Sequence, residues 1–356
     1  MTSRMHTLLR IAADQRASDL HLHAGKVPRV RHDGRLVPLP FRSLGSHQLR
    51  AMLDEILTDA QRAEMERSSH LDFAYDLEGV ARFRGSACQQ SDGLSAVFRV
   101  VPPKIPSLDE LELPSAVNGL TRHANGLVLV TGPTGSGKTT TLAAIVDRIN
   151  EASARHVITI EDPIEFVHTQ KRGLLTQRQV GLHCESFAAA LRSALREAPD
   201  VIVVGEIRDY ETLSLSLSAA EAGVLVFATL HTRSAPQSIE RLLGACPDDR
   251  EEQVREVLAT LLRGVLCQRM CRAIGGGRVV ACEVLLQTIA ISNMIREKKV
   301  HLIGGMLRSG AESARGMRSL EESLARHVSD KRISRAEAMA LANDAATIRN
   351  MLGAET

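Results

Sequence analysis

The hydrophobic positions of this chain follow two periods, and the way they alternate predicts its architecture. From Gly119 onward, short apolar runs rich in β-branched residues alternate with stretches in which apolar residues recur at helical spacing. The first pattern predicts buried strands at Leu127–Val130, Val157–Ile160, Val201–Val204, Val224–Ala228 and Val279–Leu285. The second predicts helices at Lys138–Glu151, Ser186–Glu197 and Tyr210–Ala220, and a longer amphipathic helix from Val254 to Val265. This alternation indicates an α/β fold whose parallel sheet is covered on both faces.

The first part of the chain shows the same two patterns over shorter stretches. An opening helix is predicted at Met5–Gln15, and Ala17–His23 alternates apolar and polar residues like a half-buried strand. Further strand signals lie at Val30–His32, Leu71–Tyr75, Ala81–Phe83 and Ala96–Val100. His21 and His23 share one face of the first strand and could bind a metal. Because no third ligand is nearby, a polar strand face is the simpler interpretation.

A proline-rich stretch separates these two parts. The residues from Val101 to Pro106 include three prolines and cannot continue a sheet. Beyond about residue 286 the pattern is helical and polar, with no sheet signal. We therefore predict a small α/β domain over residues 1–103, a linker over 104–118, an α/β core over 119–286 and a helical region over 287–356.

Composition narrows the function classes. The 356 residues are 44% hydrophobic, which is enough for two hydrophobic cores. The net charge is +2, and the sequence has no block of basic residues, so nothing indicates nucleic acid binding. There is no apolar signal segment, and no stretch approaches the roughly 18 apolar residues of a membrane span. We expect a cytosolic protein, at most peripheral to a membrane.

Cys267 and Cys271 are predicted one turn apart on a helix. They are predicted as packing residues rather than zinc ligands, and disulfides are not implied.

The stretch after Leu127–Val130 carries a chemical signal. It matches the pattern G-x-x-x-x-G-K-[ST] of a phosphate-binding loop between a strand and a helix. Its glycines let the backbone curl around an anion, Lys138 brings positive charge to the β- and γ-phosphates, and Thr139 offers a hydroxyl to Mg²⁺. The residues predicted to bind a nucleoside triphosphate are Gly132, Pro133, Thr134, Gly135, Ser136, Gly137, Lys138, Thr139 and Thr140.

Hydrolysis also needs a group that orients and deprotonates water, and Glu206 is the best candidate. It follows the buried strand Val201–Val204, whose carboxyl end opens on the phosphate side of such sheets. Gly205 allows the sharp turn that presents it. A charged loop after a strand is the alternative interpretation, but beside a phosphate-binding loop we predict a catalytic carboxylate.

Two further candidates also follow predicted strands. Glu161 and Asp162 come after His156–Ile160 and before Pro163, so they could reach Mg²⁺ or its waters, or merely cap a turn. His231 follows the predicted strand Val224–Ala228 and could sense the γ-phosphate or the attacking water, or have a structural role. We predict Glu161 as a metal-site residue and His231 as a member of the catalytic group.

Four segments together resemble the boxes that characterise secretion ATPases. They correspond, in chain order, to the Walker A, aspartate, atypical Walker B and histidine boxes, at Gly126–Thr141, Thr159–His168, Val204–Asp209 and Thr229–Thr232. Ala17–Leu22 and Gly79–Arg84 are similar to the N-terminal domain of that family, so the resemblance covers nearly the whole chain. Ala290–Glu297, which is similar to the signature AIRNLIRE, and Gly316–Leu320 resemble the PilT family of type IV pilus retraction (twitching motility) ATPases.

The resemblance implies a homohexameric motor that depends on ATP and Mg²⁺, with a PAS-like N-terminal domain, a RecA-like core and a helical C-terminal region. It implies that Glu206 is the catalytic carboxylate, that Glu161 belongs to the metal and water site, and that Arg82, Arg84 and Arg99 reach the nucleotide. The implied partners are an inner-membrane pilus platform protein and a paralogous retraction ATPase. The implied location is the cytoplasm, peripheral to the inner membrane.

Three residues depart from the family pattern and leave alternatives open. Val224 stands where the histidine box opens with a histidine, Ala228 replaces a glycine, and Ser292 replaces an arginine of the C-terminal signature. Valine at position 224 predicts weaker coupling of ATP turnover to motion. The alternatives are an accessory PilU-type paralogue, a motor of a related secretion system, or a regulatory subunit that binds ATP without hydrolysing it. A DNA-translocating ATPase is a more distant alternative.

Overall fold

The computed structural model describes residues 3–32, 34–101, 104–310 and 315–353, which form two compact units. The N-terminal unit comprises the described residues up to Ile105 together with Pro163–Val167. The C-terminal unit comprises Pro106–Asp162 and the described residues from His168 onward. The chain therefore passes between the units more than once. The predicted linker and domain bounds stay predictions.

The described part of the N-terminal unit is a six-stranded antiparallel sheet with three helices. Its strands are β1 (Asp19–His23), β2 (Arg29–His32), β3 (Arg35–Pro38), β4 (His70–Leu77), β5 (Ala81–Gln90) and β6 (Gly93–Val101). Its helices are α1 (Arg4–Asp14), α2 (Ser46–Asp54) and α3 (Asp59–Ser68). The strand order is β3-β2-β1-β6-β5-β4, and every neighbouring pair is antiparallel. The opening helix and all five strand signals are confirmed, whereas β3, α2 and α3 were not predicted.

Phenylalanine side chains form the centre of this unit's core. Phe73 and Phe98 meet edge to face with ring centroids 5.9 Å apart, and Phe83 is fully buried beside them in the same cluster. A Cβ added to Gly85 would lie 2.5 Å from the Phe73 ring, so only glycine fits beneath that ring. The alternation of buried and accessible residues along β5 is typical of a strand with one covered face.

The described residues of the C-terminal unit contain seven strands. They are β7 (Gly126–Thr131), β8 (His156–Glu161), β9 (Leu174–Gln179), β10 (Val201–Val204), β11 (Leu225–Leu230), β12 (Leu262–Arg272) and β13 (Arg278–Leu286). The order is β13-β12-β7-β11-β10-β8-β9; the neighbours from β12 to β9 are parallel, and β13 is antiparallel to β12. The edge strand β9 was not predicted, because it contains few buried apolar residues.

Helices surround this sheet and continue to the end of the described chain. They are α4 (Ala116–Leu120), α5 (Lys138–Ala152), α6 (Phe187–Ala194), α7 (Tyr210–Glu221), α8 (Ala235–Leu243), α9 (Glu251–Leu261), α10 (Ile289–Arg296), α11 (Ile303–Arg308), α12 (Leu320–Ser329), α13 (Arg335–Leu341) and α14 (Ala345–Leu352), with a 3₁₀ turn at Val300–Leu302. The described residues beyond 286 are largely helical, as the pattern predicts, while the bounds of that region stay a prediction. Among the residues placed by the structure, no helix is both long and apolar enough to cross a membrane.

The two faces of the sheet belong to different hydrophobic clusters. Along β7, Leu127 and Leu129 pack in one cluster with α6, α7 and α9, whereas Val128 and Val130 pack in another with α5. All six residues of this strand are buried. The predicted parallel sheet with two covered faces is therefore confirmed.

The longer helix predicted from Val254 to Val265 is wrong in its last four residues. The helix α9 ends at Leu261, and β12 begins at the next residue, Leu262, beside the central strand β7. Cys267 and Cys271 therefore lie on a strand, not on a helix, although both are buried as expected for packing residues. Burial raises the pKa of the Cys267 thiol to about 12 and that of Cys271 to about 11, so both stay protonated.

Candidate nucleotide-binding site

The predicted phosphate loop connects the end of β7 to the start of α5. Gly132, Gly135 and Gly137 have φ angles of +140°, +79° and +91°, which L side chains rarely adopt. A Cβ added to Gly132 would lie 2.5 Å from both the Gln268 carbonyl oxygen and the Ser136 hydroxyl. The loop is therefore curled tightly against β12, and only glycine fits at its first position.

The donors of this loop fit an anion such as a nucleotide phosphate. The N-cap of α5 is Gly137, which has no side chain to accept the first-turn N–H groups. Ser136 is only 2% exposed, and its hydroxyl has no hydrogen-bond partner among the described residues. Lys138 Nζ donates to the carbonyl oxygens of Gly132 and Pro133 at 2.8 and 3.1 Å. Together with the positive end of α5, these groups form a site that favours negative charge.

Polar contacts run from Lys138 to the carboxyl end of β10. Lys138 Nζ lies 3.4 Å from Nδ1 of His231, and Nε2 of that ring lies 3.2 Å from Oε1 of Glu206. Arg208 Nε donates to Glu206 Oε2 at 2.8 Å. The Glu206 side chain is 19% exposed, so its carboxylate remains open to water. The structure thus brings three predicted site residues together, while their catalytic roles stay predictions.

Parallel strand pairing explains this convergence. The strands β8, β10 and β11 are parallel neighbours, so their carboxyl ends meet at one edge of the sheet. Gly205 follows β10, and its N–H donates to the Ile160 carbonyl oxygen at 2.8 Å. A Cβ added to Gly205 would lie 3.0 Å from that same oxygen. Glycine therefore lets the chain turn close to β8 and present Glu206 at the edge.

Glu161 lies at the same edge, at the end of β8. Its Oε1 accepts hydrogen bonds from the Thr159 hydroxyl at 2.7 Å and from the Gln177 side-chain amide at 3.1 Å. In the described chain, no group of three or more His, Cys, Asp or Glu side chains could hold a metal ion by itself. Mg²⁺ at a nucleotide typically takes only one or two protein ligands besides phosphates and water, so Glu161 and Thr139 fit that need.

Arg82, Arg84 and Arg99 belong to the N-terminal unit and lie close together on its sheet. Arg82 and Arg84 alternate along β5, and the register places Arg99 of β6 opposite Arg84. Each has a partner within that unit: the Ile164 carbonyl oxygen for Arg82 (3.0 Å), a Glu165 carboxylate oxygen for Arg84 (3.4 Å) and an Asp19 carboxylate oxygen for Arg99 (3.1 Å). A role for these arginines at a nucleotide stays a prediction.

The histidine pair on β1 shows the geometry of a polar strand face. The rings of His21 and His23 stack with centroids 6.5 Å apart, and His23 Nδ1 lies 3.2 Å from the Gln90 side-chain amide. Burial lowers the pKa of His21. His21 Nε2 is buried without a hydrogen-bond partner among the described residues, so the choice between a polar strand face and a metal site stays a prediction.

Sequence reasoning missed three side chains that support the site: Arg208, Gln177 and Gln268. Arg208 could have been noticed, because it follows Glu206 by two residues in the same loop. Gln268 is fully buried and donates from Nε2 to the Thr141 hydroxyl at 2.9 Å. It gave no signal, because its strand was predicted as a helix and lies far along the chain from α5.

Comparisons with known proteins show similarity over nearly the whole length of the chain. A family model described as "Type II/IV secretion system protein" matches residues 3–351. The chain is 45% identical over 331 residues to the type IV pilus retractation ATPase PilT of Pseudomonas aeruginosa, covering 93% of this chain and 96% of that protein. It is 36% identical over 352 residues to the type IV pilus ATPase PilU of the same organism, covering 98% and 92%. A crystal structure of the pilus retraction motor PilT with bound ADP matches with a TM-score of 0.87 and 40% identity, covering 97% of this chain and 98% of that chain.

The chain therefore belongs to the PilT family of secretion ATPases, among the type II/IV secretion system proteins. The resemblance identified from the four boxes is confirmed, and so is the α/β fold class.

Proposed function

We propose that this chain is an ATP-hydrolysing motor that powers retraction of type IV pili. The observation that carries the proposal is the series of contacts from Lys138 through His231 to Glu206, which joins the phosphate loop to a carboxylate open to water. It is supported by the 45% identity with a protein named as a pilus retraction ATPase, over nearly the whole of both chains.

Each side chain of the proposed site has a different role in ATP hydrolysis. Glu206 takes the proton of the attacking water, and its contacts with His231 and Arg208 fix the direction of its carboxylate beforehand. Lys138 and the first N–H groups of α5 bind phosphate oxygens and stabilise the negative charge that builds on them. The Thr139 hydroxyl and Glu161 would hold Mg²⁺, which would neutralise phosphate charge when bound.

The motor acts as a homohexamer in this proposal. Arg82, Arg84 and Arg99 gather on the sheet of the N-terminal unit, and their guanidinium groups suit the γ-phosphoryl oxygens. Supplied across a subunit boundary, they complete a neighbour's site. The partners are an inner-membrane pilus platform protein and a paralogous retraction ATPase, and the location is the cytoplasm at the inner membrane. Nucleic acid is not a partner.

Phosphate release from ATP and Mg²⁺ by the purified chain tests the enzymatic part. Glu206→Gln keeps the shape but removes the base, so it should bind ATP and lower kcat by about 10²- to 10⁴-fold. Lys138→Ala should lose nucleotide binding or turnover. Glu185→Gln changes an exposed glutamate and should behave like the wild type. A wild-type chain that binds ATP but releases no phosphate would instead be a regulatory subunit.

Twitching motility tests the biological part. Expression of the chain in a Pseudomonas aeruginosa strain that lacks PilT should restore twitching, and the Glu206→Gln variant should not. A chain that hydrolyses ATP but restores twitching only when PilT is also present would be an accessory paralogue.

One observation favours that accessory role as the second candidate. Ser292 stands where the family signature has an arginine, and it is 4% exposed. Its hydroxyl donates to the Ala259 carbonyl oxygen at 2.7 Å and accepts from the Gln287 side-chain amide at 3.1 Å. This side chain is satisfied inside the chain, so α10 offers a partner no positive charge at this position.

A further inference from the structure

The residues directly after His231 are held by side chains from two strands that were not predicted to belong to the site. These residues, Thr232–Ala235, lead from the end of β11 into the first residue of α8, and we call them the exit segment. Cys267 Sγ donates to the Thr232 carbonyl oxygen at 3.7 Å, Arg269 Nη2 donates to the Arg233 carbonyl oxygen at 3.0 Å, and Glu283 Oε1 accepts the Ala235 N–H at 2.6 Å. The exit segment is therefore fixed through its backbone along its length.

Two of these side chains are polar groups placed deep inside the protein. Arg269, on β12, is 6% exposed, and Glu283, on β13, is 5% exposed. Withdrawing a guanidinium or a carboxyl group from water costs several kcal/mol unless it makes good hydrogen bonds. The backbone of the exit segment supplies such bonds to both groups. Ordinary packing needs neither group, so their placement points to a specific task.

The same arginine also contacts the C-terminal helical region. Arg269 Nη2 lies 3.4 Å from Asn343 Oδ1, and Asn343 Nδ2 lies 3.4 Å from the Arg233 carbonyl oxygen that Arg269 also contacts. The backbone N–H groups of Asn343 and Asp344 both donate to Oε1 of Glu321 at 2.9 Å. Glu321 lies on α12 and is 2% exposed. Asp344 caps α14, so the network reaches two helices.

At its other end the network comes within one residue of the nucleotide site. Only Thr232 separates Arg233 from His231, whose ring contacts both Lys138 and Glu206. The Thr232 hydroxyl lies 2.6 Å from the Ser238 hydroxyl of α8, so this single intervening residue is held as well. We expect a displacement of His231 to strain the contacts of Arg233, because energetic coupling can travel through packed and hydrogen-bonded groups.

We propose that Arg269 and Glu283 are positioning residues that couple His231 to the C-terminal helices α12 and α14 through the exit segment. When the nucleotide changes the position of His231, the exit segment moves against Arg269 and Asn343, and the start of α14 responds. Conversely, the C-terminal helices bias the orientation of His231. The proposal rests on the proposed function only in that His231 lies at a nucleotide site; it does not require that ATP is hydrolysed.

Hydrogen exchange with and without ADP tests the coupling. In the full wild-type chain, we expect ADP to change amide exchange in the peptide over residues 340–350 by about twofold or more. Arg269→Met and Glu283→Leu remove the contacts to the exit segment, so each should abolish this change while ADP still binds. Glu283→Gln keeps an acceptor for the Ala235 N–H and should preserve the change.

Arg255→Met is the matched control. Arg255 is also 6% exposed, but it lies on α9 and donates to the Ile295 carbonyl oxygen, not to the exit segment. It should leave the response to ADP intact, which separates a specific coupling from a general loss of packing. The coupling is overturned if the wild type shows no response at 340–350, if Arg269→Met retains it, or if Arg255→Met loses it equally.

Steady-state kinetics give a second measurement. Because Arg269 acts on His231 and not on the phosphates, Arg269→Met should lower kcat by about fivefold or more and leave the KM for ATP within about twofold. A rise in KM with unchanged kcat would contradict the proposal. If the wild type binds ADP but does not hydrolyse ATP, the proposed function fails, while the exchange experiment still decides the coupling.

Discussion

A single buried carboxyl group gives the C-terminal unit a pH dependence. Burial raises the pKa of Glu283 to about 7, from a usual value near 4.5. The Ala235 N–H, Arg269 and Arg308 lower this pKa, while Glu321 raises it further. Between pH 4.5 and 7 the folded chain therefore holds a proton that the unfolded chain has released. This stabilising contribution is complete below pH 4.5 and is lost as the pH rises through about 7.

Glu283→Gln should remove this pH dependence. Glutamine keeps an acceptor for the Ala235 N–H but cannot ionise, so raising the pH from 6 to 8 should cost the wild type about 1 kcal/mol more stability than the variant. The measurement is the midpoint of urea unfolding of both proteins at the two pH values. Equal shifts in the two proteins would show that Glu283 titrates normally in the folded chain.

Val224 departs from the family pattern at a position far from the phosphates. It is 6% exposed, and its N–H donates to the Ala219 carbonyl oxygen at 3.0 Å, just before β11 begins. Six strand residues separate it from His231, about 20 Å of extended chain. Its side chain lies in the apolar cluster under α7 and α9. The position therefore matters for packing as well as for any coupling.

Restoring the family histidine by Val224→His should lower Tm and leave ATP affinity unchanged. An imidazole in this apolar cluster loses hydration and costs about 1–3 kcal/mol. Because the family has a histidine at position 224, we expect Val224→His also to raise ATP turnover by improving the coupling of hydrolysis to motion. Val224→Thr, which preserves the shape, serves as the control. If the ATP turnover of Val224→His is equal to or lower than that of the wild type, the valine does not affect the coupling of hydrolysis to motion.

At the scale of elements, the position of a segment in the sheet decides how well the sequence predicts it. The strands β7, β8 and β10 were predicted because each is a short apolar run next to a turn signal and a helical pattern. The strand β12 was predicted as helix, because it lies between two other strands and is buried on both faces, so it shows no alternation of period two.

Some residues of the candidate site could be identified from the sequence and others could not, depending on their position in the sheet. The phosphate loop, Glu206 and His231 could be found from sequence, because each comes directly after an apolar strand whose end fixes its place in the fold. Gln268 and Gln177 could not be found. Their contacts join elements far apart along the chain, and no local pattern records which distant side chains meet.

The junction between the phosphate loop and β12 gives an element-scale prediction. Gly132→Ala should lower the stability of the nucleotide-free protein by about 2 kcal/mol or more, because its Cβ would meet the Gln268 carbonyl oxygen. Gly135→Ala also has a positive φ, but its Cβ meets nothing within 4 Å, so it should cost only about 1 kcal/mol. The check is urea unfolding of both variants; equal losses would show that β12 does not restrict the loop.

At the scale of the whole molecule, one chain carries two parts of the proposed active site in different units. Glu206 belongs to the C-terminal unit, whereas Arg99 belongs to the N-terminal unit. If each active site in a ring takes Glu206 from one subunit and Arg99 from its neighbour, then a subunit that lacks one of these residues can still form an active site with a neighbour that supplies it. Sedimentation with ATP and Mg²⁺ should accordingly show a species near six subunits, the size that the resemblance implies.

Mixing two inactive variants tests this sharing. Glu206→Gln and Arg99→Ala should each be nearly inactive alone. In a ring assembled at random from an equal mixture, about a quarter of the interfaces pair an intact Glu206 with an intact Arg99 of the neighbouring subunit, so the mixture should recover about a quarter of the wild-type rate. Arg31→Ala is the control, because Arg31 lies on the same sheet and also contacts Asp19, at 3.6 Å, yet should keep full activity alone. No recovery in a mixed ring would place Arg99 outside a shared site.

The division of the chain also sets an order for its synthesis. Pro163–Val167 belongs to the N-terminal unit, although residues 106–162 of the other unit precede it. A chain leaves the ribosome from its N-terminus, so Arg82 and Arg84 emerge long before their partners at Ile164 and Glu165. The N-terminal unit is therefore completed only after the phosphate loop and β8 have been made. The second unit must be begun before the first can be finished.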